Sequence, residues 1–157
     1  MSKLNIKNSY PTDKTATQMN VLLSTLVDFY YTYKHFHWNL KNDDFYQYHK
    51  LFDEHATTIY ESQDPIAERT RQMGETITGD LTKYTELTTL KAKLANENDL
   101  DSVLVYLVEC HDNTIELLEK IIDNTSELKD FSTADLLTGY LREHQQMRWF
   151  LTASIEK

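Results

Sequence analysis

The 157 residues are enough for one domain with a substantial core and too few for two such cores. The 25 acidic and 16 basic residues give a net charge of −9, which repels nucleic acid on average, so DNA contact would need a local basic patch. Three Gly and two Pro argue against a many-stranded protein and favour long helices. No segment approaches the ~18 uncharged apolar residues of a membrane span, and the polar start resembles no secretory signal, so we expect a cytoplasmic protein.

The first two predicted helices are joined by a short turn. From about Thr15 to His37 the spacing of apolar residues predicts one long amphipathic helix. The segment KNDD then supplies turn and N-cap residues, and a second periodic run extends from Phe45 to Gly74, where the glycine is expected to cap the helix. The residues that define the first helix are Met19, Leu22, Leu23, Leu26, Tyr30, Tyr33 and His37.

A long connection separates this pair from the rest of the chain. It contains Gly79 and repeated Thr, and it is regular enough only for a short helix around Lys83 to Leu90. The third long helix is predicted from about Asp101 to Glu127. It carries the single cysteine, Cys110, which we expect to be a small buried residue rather than a reactive thiol.

The fourth long helix follows a loop near LKDF, and Ser132 with Asp135 forms a start that resembles a capping box. Four long helices with one long connection between the second and third predict an all-α, ferritin-like four-helix bundle with a short extra helix in the crossover. We assign residues 15–157 to this domain and residues 1–14 to a flexible N-terminal tail.

The stretch HKLFDEH places His49 and Asp53 on one helix face, and a second pair, Asp64 and Glu68, shares that face at ~100° per residue. Asp53 and Asp64 nevertheless lie ~16 Å apart along the helix axis, so one copy of the helix cannot bring both pairs to one ion. Two copies packed antiparallel across a two-fold axis can do so. The pattern therefore predicts a dimer with two identical sites.

His37, near the end of the first helix, is a fifth candidate ligand. Two imidazoles and three carboxylates suit Fe(II) and can equally hold Zn(II) or Mn(II). No histidine has Glu three positions before it, which argues against the intrachain di-iron site of other bundles. The spacing leaves one alternative open, in which these side chains are surface groups and Asp64 and Glu68 pair with nearby arginines.

The stretch KHFHWNLKNDDFYQYHKLFDEHATTIYESQDPIAERTRQMG resembles the Dps family, the mini-ferritins named as DNA-binding proteins from starved cells. The shared pattern is an HW pair, a His twelve residues after its His, an Asp four later, and an Asp and Glu four apart before an IAER-like segment. The resemblance continues in STADLLTGYLREHQQMRWF, so it covers most of the chain after residue 15. It implies a hollow dodecamer that oxidises Fe(II), preferably with hydrogen peroxide, protects against oxidative stress and stores ferric iron.

The resemblance also implies roles for individual residues at a site with two irons between subunits. Asp64 and Glu68, with His37 from the facing subunit, would hold the tighter iron, and His49 and Asp53 would support the second. Trp38 would collect a stray oxidising equivalent, with interface packing as the alternative role. Pro65 departs from the family pattern, since proline cannot donate a hydrogen bond to the Glu61 carbonyl, and it predicts a kink at the site.

The family resemblance extends to pores and to DNA. Acidic residues around the start of the fourth helix would focus cations at three-fold pores, and the N-terminal tail would contact DNA through lysines repeated in twelve copies. A DNA-compacting, nucleoid-associated protein with secondary iron binding and a metal-free helical scaffold are the alternative functions. The pore candidates are Asp123, Asp130 and Asp135, and the tail lysines are Lys3, Lys7 and Lys14.

Overall fold

The computed structural model describes residues 13–90 and 99–155, and over that part of the chain it contains five helices and no strand. The predicted all-α class is confirmed, as is the order of four long helices with a short one in the long connection. No helix of the described residues is both long enough and apolar enough to span a membrane. The helices are α1 (Asp13–Asn39), α2 (Phe45–Gln72), α3 (Leu81–Leu87), α4 (Leu100–Glu127) and α5 (Phe131–Ile155).

Two helical hairpins make the bundle. The short connections 40–44 and 128–130 pack α1 along α2 and α4 along α5. α1 also contacts α3 and α4, and α2 contacts α5, so the hairpins close around one shared core. Fully buried apolar side chains from all four long helices form this core: Met19, Leu22, Phe29, Phe36, Phe52, Ile59, Ile66, Leu104, Leu107, Leu118, Leu137 and Leu151.

α2 continues through Pro65 as one helix to Gln72, and Gly74 follows its C-cap, Met73. The proline at which a kink is predicted does not end or divide the helix. Gly74 has φ of 91°, and the backbone N–H groups of Gly74 and Glu75 donate to the carbonyls of Arg71 and Thr70, at 3.0 and 3.3 Å. This is the Schellman arrangement, so the predicted glycine cap is confirmed.

The start of α5 differs from the predicted capping box at Ser132 and Asp135. Instead, the Asp130 carboxylate accepts a hydrogen bond from the backbone N–H of Thr133 at 3.2 Å, which makes Asp130 the N-cap. The same carboxylate pairs with the Arg69 guanidinium at 2.8 Å. The capping prediction was wrong because Asp130, itself a favoured N-cap residue, caps the helix instead of Ser132, and the helix begins at Phe131, earlier than the sequence pattern indicates.

A polar layer crosses the core with one side chain from each long helix. The Tyr33 hydroxyl lies 3.0 Å from Nδ1 of His55 and 2.7 Å from Nε2 of His111. Nδ1 of His111 lies 3.0 Å from Nδ1 of His144. All four side chains are buried. Cys110 is buried as predicted, and burial raises the pKa of its thiol to about 12, so the thiol is protonated.

We expect His144→Gln to weaken the acid sensitivity of the fold. Burial lowers the pKa of His144 from 6.5 to about 3. Below pH 6.5 this histidine therefore gains a proton in the unfolded chain but not in the folded chain. Its contribution to stability is fully present above pH 6.5 and is lost as the pH drops towards 3. Between pH 7.5 and 5.5, the free energy of unfolding measured in urea should decrease by about 1.4 kcal/mol less in His144→Gln than in the wild type. His35→Gln is the control, and equal losses in His144→Gln and the wild type would contradict the expectation.

Candidate metal centre

His37, near the end of α1, and His49, in the first turns of α2, face each other across the first hairpin. Their rings are nearly parallel, with centroids 3.8 Å apart. Nδ1 of His37 donates to the His49 carbonyl at 2.7 Å, and Nδ1 of His49 donates to the His37 carbonyl at 2.8 Å. Because a carbonyl can only accept, both Nδ1 atoms carry protons. In the tautomer with this Nδ1 proton, Nε2 is the atom that can offer a lone pair to a metal.

Asp53, one turn after His49, brings a carboxylate to the same place. Its Oδ1 lies 3.9 Å from Nε2 of His37, and its side chain is half-exposed. The Lys34 ammonium lies 2.7 Å from that Oδ1, and this hydrogen bond is the main cause that lowers the pKa of Asp53. Sequence reasoning missed Lys34. Its position three residues before His37, on the same face of α1, is the signal that could have found it.

Asp64 and Glu68 lie one turn apart further along α2, and both are exposed. Asp64 lines a pocket of about 680 Å³ with Val27 and Tyr60, whereas Glu68 lines another of about 380 Å³ beside Pro65. Within the described residues, neither carboxylate has a hydrogen bond or ion pair, and no three ligand side chains are grouped around one point. Within one chain the candidate ligands therefore form two separate groups, ~16 Å apart along α2.

Trp38 extends from the end of α1 with 62% of its surface exposed. The Lys34 ammonium lies 5.8 Å from the centre of its ring, within the range of a cation–π contact. Lys34 therefore contacts both the Asp53 carboxylate and the ring of Trp38, the residue after His37. Trp38 is open to solvent in the single chain, so a partner subunit could cover it.

The remaining predicted residues are dispersed. Asp123 and Asp135 are exposed, whereas Asp130 is buried in its contacts with Arg69 and Thr133 and is not free to attract cations. Lys14 is exposed in the first turn of α1. Lys3 and Lys7 lie outside the described residues.

Comparisons with known proteins identify the family of the chain. Residues 16–157 match the ferritin-like domain family. The chain is 32% identical over 154 residues to the DNA protection during starvation protein of Agrobacterium fabrum, which covers 96% of this chain and 95% of that one. A low temperature-induced protein of Nostoc is 32% identical over 142 residues, covering 88% and 79%.

Solved structures agree on the fold. DpsC from Streptomyces coelicolor superposes with a TM-score of 0.86 at 28% identity, covering 91% of this chain and 84% of that one. Dps from Thermosynechococcus elongatus superposes with a TM-score of 0.88 at 24% identity, covering 92% and 91%. With the matched domain and the similarity over nearly the whole length of a curated relative, the chain belongs to the Dps family of ferritin-like proteins.

Proposed function

We propose that this protein is a mini-ferritin that oxidises Fe(II) with hydrogen peroxide at sites shared between two subunits. The ferric product would be stored in a hollow dodecamer in the cytoplasm, and the reaction would protect the cell against oxidative stress. The observation that carries the proposal is the pair His37 and His49, each fixed by the other's carbonyl with Nε2 left as a ligand.

The shared site follows from what one chain lacks. His37, His49 and Asp53 make a half-site at the first hairpin, and Asp64 and Glu68 make another, ~16 Å away on α2. A two-fold axis that runs α2 against α2 of a partner would set one half-site against the other and would create two complete centres for each dimer. The exposed carboxylates of Asp64 and Glu68, which have no ion pair within the described residues, support this arrangement.

The mixed nitrogen and oxygen ligand set suits Fe(II), while Zn(II) or Mn(II) would fit the same atoms. Two adjacent ferrous ions can deliver both electrons that reduce hydrogen peroxide to water or hydroxide, so no hydroxyl radical is released. Trp38, beside the half-site of His37, would take up an oxidising equivalent that escapes. Iron would reach the interior past exposed carboxylates such as Asp123 and Asp135, which attract cations.

The test is anaerobic loading of the intact protein with Fe(II), followed by hydrogen peroxide in one sample and oxygen in another. Absorbance of the ferric product gives the rate, spin trapping gives the yield of hydroxyl radical, and analytical ultracentrifugation gives the particle mass. We expect faster oxidation with peroxide, less trapped radical than from the same iron in buffer, and a mass of twelve chains. A stable monomer, or a radical yield equal to that of buffer, would refute the proposal.

DNA binding is the second candidate function, and the similarity to a protein named for DNA protection during starvation favours it. Exposed Lys14 and the preceding tail lysines would contact phosphates in many copies, despite the net charge of −9. A gel shift at low and physiological salt, repeated without residues 1–14, tests this role. A shift that survives the deletion would remove the tail as the DNA-binding element.

We expect Lys34→Met to strengthen binding of the second metal ion. Methionine keeps an apolar stem of similar length. It removes the ammonium group that pairs with the Asp53 carboxylate and repels an incoming Fe(II). The affinity of the weaker site should rise about tenfold or more in an anaerobic calorimetric titration with Co(II) as the probe. Lys34→Arg keeps the charge and is the control. An unchanged second affinity in Lys34→Met would show that Lys34 does not compete with metal.

A further inference from the structure

The buried layer of Tyr33, His55, His111 and His144 is not used by the proposed iron site. Its hydrogen bonds run in one direction, because each neutral imidazole has one N–H and the phenol has one O–H. If Tyr33 donates to His111, then His111 donates to His144 and His55 donates to Tyr33. If Tyr33 donates to His55, every bond in the chain reverses.

The first direction agrees better with the surroundings of His55. Nε2 of His55 is buried and has no partner among the described residues. When His55 donates to Tyr33 from Nδ1, this Nε2 is a bare lone pair, whereas the reverse direction would leave a buried N–H without an acceptor. A buried donor without a partner is the rarer case. Tyr33 therefore donates to Nε2 of His111 at 2.7 Å and accepts from Nδ1 of His55 at 3.0 Å.

We propose that Tyr33 is a one-electron donor, and that His111 accepts its proton and His55 stabilises the resulting radical through a hydrogen bond. An oxidised phenol is a far stronger acid than a phenol, so electron loss and proton transfer occur together when a base is already in contact. Burial keeps the pKa of His111 well below its usual value and that of His144 at about 3, so both imidazoles are neutral bases near pH 7. Burial also raises the pKa of Tyr33, which keeps the phenol protonated until it is oxidised.

The position of Tyr33 connects it to the candidate metal centre. Tyr33 lies one turn before His37 on α1, about 6 Å along the axis, and His55 lies two residues after Asp53 on α2. The polar layer is therefore the next layer of the bundle beneath the half-site on both helices. Phe52, the residue before Asp53, packs against Tyr33, with the two ring centres 5.8 Å apart.

The source of the oxidant rests on the proposed function. Because the Lys34 ammonium pairs with the Asp53 carboxylate, we expect centres that hold only one Fe(II) when the Fe(II) concentration is low. That ion reduces hydrogen peroxide by one electron, giving Fe(III), hydroxide and a hydroxyl radical. Tyr33 then supplies the second electron: the hydroxyl radical becomes hydroxide, the Tyr33 proton passes to His111, and a neutral tyrosyl radical remains. A second Fe(II) reduces that radical, and the proton returns from His111. The sum is two Fe(III) and two hydroxides from two Fe(II) and one peroxide.

The first experiment needs no iron and therefore tests Tyr33 independently of the proposed function. Photogenerated ruthenium(III) tris-bipyridine oxidises the metal-free protein in heavy water, and the frozen sample is examined by electron paramagnetic resonance and by electron–nuclear double resonance. We expect a persistent tyrosyl radical with two exchangeable deuteron couplings, one from each imidazole that donates to the oxygen. Tyr33→Phe should lack this signal. The matched control is Tyr48→Phe, which removes the hydroxyl of a different buried tyrosine, on α2, and should retain the signal.

His111→Gln tests the proton acceptor, and we expect the persistent radical to fall at least about tenfold. The couplings in the wild type do not depend on any variant folding. The same persistent signal in Tyr33→Phe, or a wild-type radical without exchangeable couplings, would overturn the inference.

The second experiment supplies one Fe(II) for each centre, adds peroxide and freezes the sample within milliseconds. We expect the Tyr33 radical in the wild type, and more trapped hydroxyl radical from Tyr33→Phe than from Tyr48→Phe. If iron is oxidised but the tyrosyl radical does not form, only the role of Tyr33 is refuted and the proposed function stands. Absence of peroxide-driven iron oxidation would instead refute the proposed function, while the photochemical result would stand.

Discussion

Mixing two inactive variants is expected to restore about one quarter of the wild-type Fe(II) oxidation. The first variant carries Asp64→Ala with Glu68→Ala, and the second carries His37→Ala with His49→Ala. Each alone should lose at least about 100-fold in peroxide-driven rate, since ligand removal exceeds the effect of losing an orienting contact. In a random mixture half of the dimers are mixed, and each mixed dimer has one centre with all five ligands and one with only Asp53.

Co-expression with two affinity tags allows the chain ratio to be measured by mass spectrometry and the rate to be corrected for it. Glu54→Ala, an exposed carboxylate on another face of α2, is the control and should keep the wild-type rate. If the co-expressed variants are no more active than the two separate variants, the ligands do not combine across an interface. That result would refute the shared centre even if the wild type oxidises iron.

Asp130→Ala is expected to destabilise the fold by about 3 kcal/mol or more. Its carboxylate pairs with Arg69, whose side chain is only 12% exposed, and it also caps α5 through the backbone of Thr133. Removing it leaves a largely buried guanidinium without this partner and a helix start without its cap. The free energy of unfolding from urea titration, measured with the assembly state held constant, gives the effect.

Asp135→Ala, an exposed carboxylate on the first turns of the same helix, is the matched control and should change stability by less than about 0.5 kcal/mol. The double variant Asp130→Ala with Arg69→Met should recover part of the loss, because the guanidinium that has lost the Asp130 carboxylate is removed as well. Equal free energies of unfolding for Asp130→Ala and Asp135→Ala would show that the contacts of the Asp130 carboxylate do not stabilise the fold.

The helices were predictable because their signals are local. Apolar spacing located α1 and α2, and Gly74 marked the end of α2 because a left-handed backbone there favours glycine. The start of α5 was placed wrongly at Ser132, because the contact that holds the true N-cap, Asp130, against α2 comes from Arg69, a side chain 61 residues away. Local patterns carry no information about such a contact.

Spacing and family resemblance predict the candidate ligands, but they do not predict the hydrogen bonds that these side chains make. The exchange of hydrogen bonds between His37 and His49 involves backbone carbonyls, which every residue has, so no residue type signals it. The polar layer was missed for a related reason. Tyr33, His55, His111 and His144 come from four helices, and each looks like an isolated polar position on its own helix.

The hairpin that joins α1 to α2 bears on how quickly the proposed shared centres would form. The two imidazoles are locked by contacts within one chain, and the connection between their helices is only residues 40–44. Their rotamers are therefore chosen before any other subunit arrives, and association loses little side-chain entropy at that point. Subunit encounter, rather than rearrangement of His37 and His49, should then set the rate at which a newly made chain gains its centre.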